Sequence, residues 1–278
     1  MSLSPFSSSI PWKEIKNLLN YKFHEKITFH DLIACEPKLF SMGRYAADQK
    51  LKGTIGKDKL ITNELHAILS EDNFYPTSNS NELKYKEIWY SEIQGLRKRG
   101  VRPKVITANV LAVDSNKKGI ILHRRSTKSS LYPGKLSIVG GGFLPFSIEN
   151  KVKADKLLKD TAIREFNEET NMRMQIDKDT KITLTEEITS GNIQINYLGA
   201  KSEWAPARMD KESIDFEFEG EPVFVSFNKL NDYLNLDFDE WTPLGKSNVL
   251  AWLALGASGT GEVKFGGISA AELFREHI

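Results

Sequence analysis

Residues 162–170 read Ala-Ile-Arg-Glu-Phe-Asn-Glu-Glu-Thr, with glutamates at 165, 168 and 169. On a helix, residues three and four apart are surface neighbours, roughly 5–6 Å between Cβ atoms. Glu165, Glu168 and Glu169 therefore share one face, while Ile163 and Phe166 point elsewhere and can anchor the helix to a core. Three clustered carboxylates repel one another unless a cation neutralises them. Hard oxygen ligands suit Mg²⁺ or Mn²⁺, and such ions suit phosphate chemistry, where charge develops on oxygen. A Glu-rich helix face is more commonly plain solvated surface. What sets this one apart is the segment about twenty residues upstream, Leu-Ser-Ile-Val-Gly-Gly-Gly-Phe at 136–143. Consecutive glycines let a backbone approach a ligand or a helix closely. A strand, a glycine-rich segment and an acidic helix together make a coherent site.

With those residues in view the chain resembles a Nudix hydrolase. The second half of that family's signature is Arg-Glu-(apolar)-x-Glu-Glu-x-Gly-(apolar). Residues 164–172 match it at every position except Asn171, which stands where the family has Gly. Asn is the next best tolerated residue in a left-handed helix terminus, so the swap is expected to be benign. Upstream, His123-Arg124-Arg125-Ser126, then Tyr132-Pro133-Gly134-Lys135-Leu136, then Gly140-Gly141-Gly142 follow the family's order of elements. The resemblance spans about 103–256. Its first half is degraded: the first signature Glu is Ser147, with Glu149 and Asp155 the nearest carboxylates. The stretch from Ser147 to Arg164 is about nine residues longer than the signature, and 148–153 reads as an inserted loop or helical turn.

The resemblance implies an α+β fold, a Nudix-like α/β/α sandwich with a mixed sheet, here preceded by a mostly helical N-terminal extension (1–102) ahead of a hydrolase domain (103–278). It implies hydrolysis of a phosphoanhydride bond in a nucleoside diphosphate linked to another moiety, with Mg²⁺ or Mn²⁺ as cofactor and a small nucleotide as substrate. Glu165, Glu168 and Glu169 become metal ligands, Glu168 with a catalytic role, and Arg164 orients a neighbouring carboxylate through its planar fork. Gly140, Gly141 and Gly142 let the backbone pass close to the site. Arg124 and Arg125, with His123, either hold substrate phosphates or form a polar strand end. A further carboxylate from outside the box is expected at Glu221, with Glu219 second, against the plain reading of exposed glutamates on an alternating strand. Trp204 or Tyr132 either stacks on a base or belongs to the core. Family members often dimerise, so a homodimer is open.

Bulk properties narrow the alternatives. The chain has 278 residues, 40% hydrophobic and 27% charged, and a net charge of +1. That charge leaves no basic footprint for nucleic acid, which argues against mRNA decapping. One cysteine, Cys35, excludes an internal disulfide framework and fits a reducing compartment. It lies outside the recognisable core, against an isomerase of isopentenyl diphosphate that needs a core cysteine. No apolar run approaches the eighteen or so residues that span a bilayer, and the N-terminus lacks signal-peptide features, so a cytoplasmic protein is expected. The lost signature Glu and the insertion keep a second function in play, a Nudix-fold binding module without turnover.

Along the chain, apolar spacing predicts helices from Trp12 to Leu19, from Leu60 to Leu69 and from Leu83 to Arg99. His24 and His30 are isolated and read as structural, and Arg97-Lys98-Arg99-Gly100 as a helix end. Strands are predicted at 105–113, 120–124, 181–187, 192–200 and 222–227. Short helices follow at 228–234 and 247–255, and Ser269 to Glu272 forms a capping box before the last helix.

Overall fold

A computed structural model describes residues 11–30, 41–44, 65–69, 82–129, 131–142, 154–205, 220–257 and 264–278. Strands β5 (Ile106–Asp114) and β6 (Gly119–Arg125) form a hairpin whose β-branched, apolar sequence is buried on both faces. β10 (Lys181–Glu187) and β11 (Ile193–Ser202) form a second hairpin, turning at Gly191, whose φ of 79° favours glycine. β11 runs parallel to β5, and β12 (Gly220–Ser226) pairs antiparallel with β6. With β1 (Ile27–Phe29) on the far edge, the path is β1-β10-β11-β5-β6-β12. The short strands β7 (Leu136–Ser137), β8 (Val139–Gly142) and β9 (Met174–Gln175) pair with β6, β5 and β11.

Two apolar layers enclose this sheet. On one face α3 (Ala154–Thr170) buries Leu158, Ala162 and Phe166 against Ile106, Ala108, Val110, Val139 and Ile195. On the other, α1 (Trp12–Phe23), α5 (Pro243–Ala254) and α6 (Ala270–His277) pack on Leu111, Val113, Ile120, Leu122 and Val225. The result is a mixed sheet between helices, the α/β/α sandwich expected. α5 begins at Thr242, whose hydroxyl accepts from Gly245 N at 2.9 Å, a turn earlier than the sequence reading, with Pro243 in its first turn. α6 has the capping box the sequence predicts: Ser269 N donates to Glu272 Oε2 at 2.8 Å and Glu272 N donates to Ser269 Oγ at 3.3 Å.

The region before residue 102 departs from a mostly helical extension. Leu65–Leu69 is strand β3, and Glu82–Trp89 is strand β4 running into α2 (Tyr90–Lys98). With β2 (Ser41–Arg44) they make a separate three-stranded sheet, order β2-β4-β3. Short apolar runs fit a strand as readily as a helix, and pairing decided between them. α1 and β1 meanwhile belong to the central layers: Ile15, Leu19, Phe23, Ile27 and Phe29 are all in the main core, and β1 pairs with β10. α2 ends as expected, with Gly100 at φ 79° and Val101 N donating to Leu96 O at 3.0 Å. Residues 143–153, which include Ser147, Glu149 and the expected insertion, lie outside the described residues, as do Cys35 and Glu219; of Asp155 only the backbone is described.

Candidate metal and phosphate site

α3 carries Arg164, Glu165, Glu168 and Glu169 in its last two turns. Its buried Phe166 and Ala162 fix which face meets the sheet and so fix where the carboxylates project. Arg164 forks between two of them, Nη2 to Glu165 Oε1 at 2.5 Å and Nη1 to Glu168 Oε2 at 2.7 Å. Arg164 thus pairs with two neighbouring carboxylates, and its planar guanidinium meets both acceptors at once. Glu165 and Glu169 are nearly buried, their side chains 15% and 13% exposed, whereas Glu168 is 54% exposed. The helix closes at Asn171, which takes φ 50° and donates its N–H to Asn167 O at 2.8 Å. Asn thus fills the left-handed position where the family has Gly.

The glycines 140–142 form strand β8, paired with Asn109, Ala108 and Thr107, rather than a loop. Their lack of side chains is used by the site. A Cβ at Gly141 would overlap the Glu165 carboxylate, and one at Gly140 would collide with the Asn109 backbone. Gly140 N lies 3.4 Å from Glu169 Oε2 as a donor. His123, on β6 and 2% exposed, brings Nδ1 to 3.5 Å from the same oxygen. Burial, then Arg125, push its pKa down to about 3, so the ring is neutral. His66, on β3, lies against Gly142 and stacks at a tilt on Tyr90, 5.3 Å between centroids. Burial, then Arg97 and Arg164, lower it to about 4. The three-stranded sheet thus reaches the rim of the site, a contribution no sequence motif announced.

Other expected residues do not converge here. Glu221 pairs across the ladder with Arg124. Its neighbours in alternation, Val223 and Val225, pack toward α5 and α6, while Phe224 packs toward α3. Side chains alternate along a strand, so Glu221 is exposed on the sheet face away from Glu165 and Glu169. It follows the alternating-strand reading. Arg124 and Arg125 are separated by the same alternation. Arg124 Nη1 donates to Gly134 O at 3.0 Å and lies 3.9 Å from Glu240. Arg125 Nε donates to Leu131 O at 2.9 Å. Both hold the 131–134 loop. Trp204 packs on Phe224 in the core, 5.5 Å between centroids. The Tyr132 hydroxyl donates to Glu187, and burial and that carboxylate push its pKa up, keeping it a donor. Arg97 donates to Asn192 Oδ1 at 2.6 Å, tying α2 to the β10–β11 turn.

Sequence reasoning missed a buried polar ladder on the α5 side of the sheet. Asn196 Nδ2 donates to Thr183 at 3.3 Å and Thr185 at 3.0 Å, and its Oδ1 accepts from Asn109 at 3.1 Å. Thr183 donates to Asn248 of α5, and Ser190 donates to the buried Glu187. The signal was present as polar residues at alternate positions (107, 109; 183, 185, 187; 194, 196) in otherwise apolar strands.

No family model matches the chain, and no curated relative does. Among solved structures it is similar to a bifunctional NMN adenylyltransferase/ADP ribose pyrophosphatase from Francisella tularensis complexed with AMP and Mn ion (15% identity, TM-score 0.40, covering 58% of this chain and 45% of that one). It is also similar to a MutT protein from Methanosarcina mazei Go1 (22%, 0.32, 49% and 84%) and to a NUDIX hydrolase from Nitrosomonas europaea (13%, 0.33, 46% and 75%). The chain spans less than half the length of the bifunctional protein. Among the described residues, no helix is long and apolar enough to cross a membrane.

Among the described residues no group of three or more His, Cys, Asp or Glu side chains comes together as a metal cage. Mg²⁺ does not demand one: it keeps several waters and is bound through one or two carboxylates plus substrate phosphates. Glu165 and Glu169, one turn apart on α3 and nearly buried beside a strand of glycines, fit that two-carboxylate pattern. They do not make a preformed cage.

Proposed function

We propose that this chain is a divalent-metal-dependent hydrolase of a phosphoanhydride bond in a nucleoside diphosphate linked to another moiety. The observation that carries the reading is Arg164 forking between Glu165 and Glu168 while Glu169 is held against β8. Glu165 and Glu169 would hold the Mg²⁺ or Mn²⁺. That ion, when bound, lowers the pKa of water and neutralises charge on phosphoryl oxygens. Glu168, the exposed carboxylate, takes the proton of the attacking water. Arg164 holds Glu165 and Glu168 in place. Gly141 leaves room for the Glu165 carboxylate itself, and Gly140 for the close approach of Asn109. The rest of catalysis is positioning and electrostatics. We assign the hydrolase unit to α1, β1 and residues 103–278, with the three-stranded sheet and α2 as an added module that bears on substrate choice.

A second reading, a Nudix-fold nucleotide-binding module without turnover, is favoured by one observation: Glu221 stands on the wrong face to complete the ligand set. One experiment separates them. Purified protein with Mg²⁺ or Mn²⁺ is offered nucleotide sugars, dinucleoside polyphosphates and nucleoside triphosphates, and release of a nucleoside monophosphate is followed. Turnover that Glu168→Gln abolishes supports the hydrolase. Nucleotide binding without turnover supports the module.

A further inference from the structure

We propose that His123 is the positioning residue for Glu169, donating its Nδ1–H to Oε2 and so presetting that carboxylate for a divalent cation. The inference rests on the metal reading above. His123 reaches Glu169 from β6, on the opposite side of β8 in sequence order, and is 2% exposed. Two nitrogens converge on one oxygen: Nδ1 of His123 at 3.5 Å and the donating Gly140 N at 3.4 Å. Both distances are long, so each contact is weak, but together they set the direction in which the carboxylate plane faces.

The tautomer follows from the same geometry. Nε2 of His123 is buried with no hydrogen-bond partner among the described residues. A neutral imidazole carries one N–H. A proton on Nε2 would leave a buried donor orphaned and turn the Nδ1 lone pair toward an anionic oxygen. On Nδ1 it has an acceptor, and only an acceptor is left unmet at Nε2, the less costly deficit. The hydrogen bond one ring nitrogen makes decides which carries the proton. The arrangement is a histidine supporting a carboxylate from outside the ligand set. Such outer partners are worth about 10–100-fold in metal affinity.

The test is Mn²⁺ binding to the full chain, followed by electron paramagnetic resonance of free Mn²⁺, with no turnover required. Glu169→Gln serves as the reference. His123→Asn places an amide nitrogen where Nδ1 stands, His123→Gln where Nε2 stands, and His123→Leu keeps neither. His123→Asn is expected to bind like wild type, and His123→Gln and His123→Leu about tenfold more weakly. Thermal melting of the Asn and Gln variants should coincide, so this pair decides the matter even if His123→Leu does not fold. Wild-type affinity in His123→Gln overturns the proposal, as does a loss in His123→Asn equal to that in His123→Gln. If those results come while Glu169→Gln still weakens binding, the metal reading stands and only the role of His123 falls. Wild type that binds no Mn²⁺ overturns both.

Discussion

Along β5, Ile106, Ala108 and Val110 turn toward α3, while Thr107 and Asn109 turn toward the helices on the other side. The same split runs through the neighbouring hairpin, with Leu184, Ile193 and Ile195 on the α3 face and Thr183, Thr185, Gln194 and Asn196 on the other. The two faces do different work. The apolar face locks α3 by burial alone, which is non-directional, and the helix geometry then delivers three carboxylates to the sheet edge. The polar face uses directional bonds between β10, β11, β5 and α5, which specify one register. A one-residue slip there would exchange the faces entirely. The candidate chemistry therefore sits where an apolar anchor ends, and the register that places Gly140 and Gly141 beside it is specified from the opposite side.

The sharpest way to break this division is at the carboxylates. Glu169→Gln is expected to cut Mn²⁺ affinity and turnover by more than about 100-fold, beyond what losing an outer partner costs, with an unchanged melting temperature. An equal loss of melting temperature would mean that Glu169 holds the fold rather than a cation.

Neighbouring glycines sharpen the comparison because their missing side chains meet different elements. Gly141 pairs with Ala108 of the α3 face, and a methyl there meets Glu165; Gly142 pairs with Thr107, and a methyl there meets His66. Gly141→Ala should weaken Mn²⁺ binding by about 10–100-fold, as displacing a ligand's support does. Gly142→Ala should leave Mn²⁺ binding in place and disturb the three-stranded sheet instead, seen as faster proteolysis between residues 41 and 98. Equal effects on Mn²⁺ would show that the strand, not the face, matters.

On the polar face, Asn196 is fully buried and serves Asn109, Thr183, Thr185 and the Gln194 carbonyl. Asn196→Ala leaves Asn109, Thr183 and Thr185 short of a partner, and each unmet buried group costs about 1–3 kcal/mol. Shared relaxation should hold the total to about 2–4 kcal/mol, measured by urea unfolding, with Mn²⁺ affinity unaffected if the faces are independent.

How much of this was legible in the sequence follows from the two periodicities. The acidic helix over 162–170 was readable because a 3.6-residue pattern and an ordered motif coincide, whereas its start at Ala154 was not. The strands 106–114 and 119–125 were readable from β-branched runs bounded by a turn. Glu221 was misplaced because alternation says that two faces exist, not which one meets α3. β3 and β4 were misread because Leu65, Ile68 and Leu69, or Ile88 and Trp89, suit either period until a partner strand is known. His123 and His66 could not be seen as neighbours of Glu169 and Gly142, since both contacts depend on pairing between segments far apart in sequence.

The smallest expected effect tests the one departure from the motif that could be judged without a structure. Asn171 holds φ 50°, a conformation that costs an ordinary L-residue roughly 1–2 kcal/mol and that Gly and Asn enter readily. Asn171→Gly should change stability by only a few tenths of a kcal/mol, because lost strain and added freedom in the unfolded chain oppose each other. Asn171→Ala should destabilise by about 1 kcal/mol. Neither should alter Mn²⁺ affinity, since the helix is fixed by Phe166 and Ala162 against the sheet and not by its last residue. Weaker Mn²⁺ binding in Asn171→Ala would show instead that fraying at the helix end reaches Glu169, and that the apolar anchor alone does not hold the carboxylates in place.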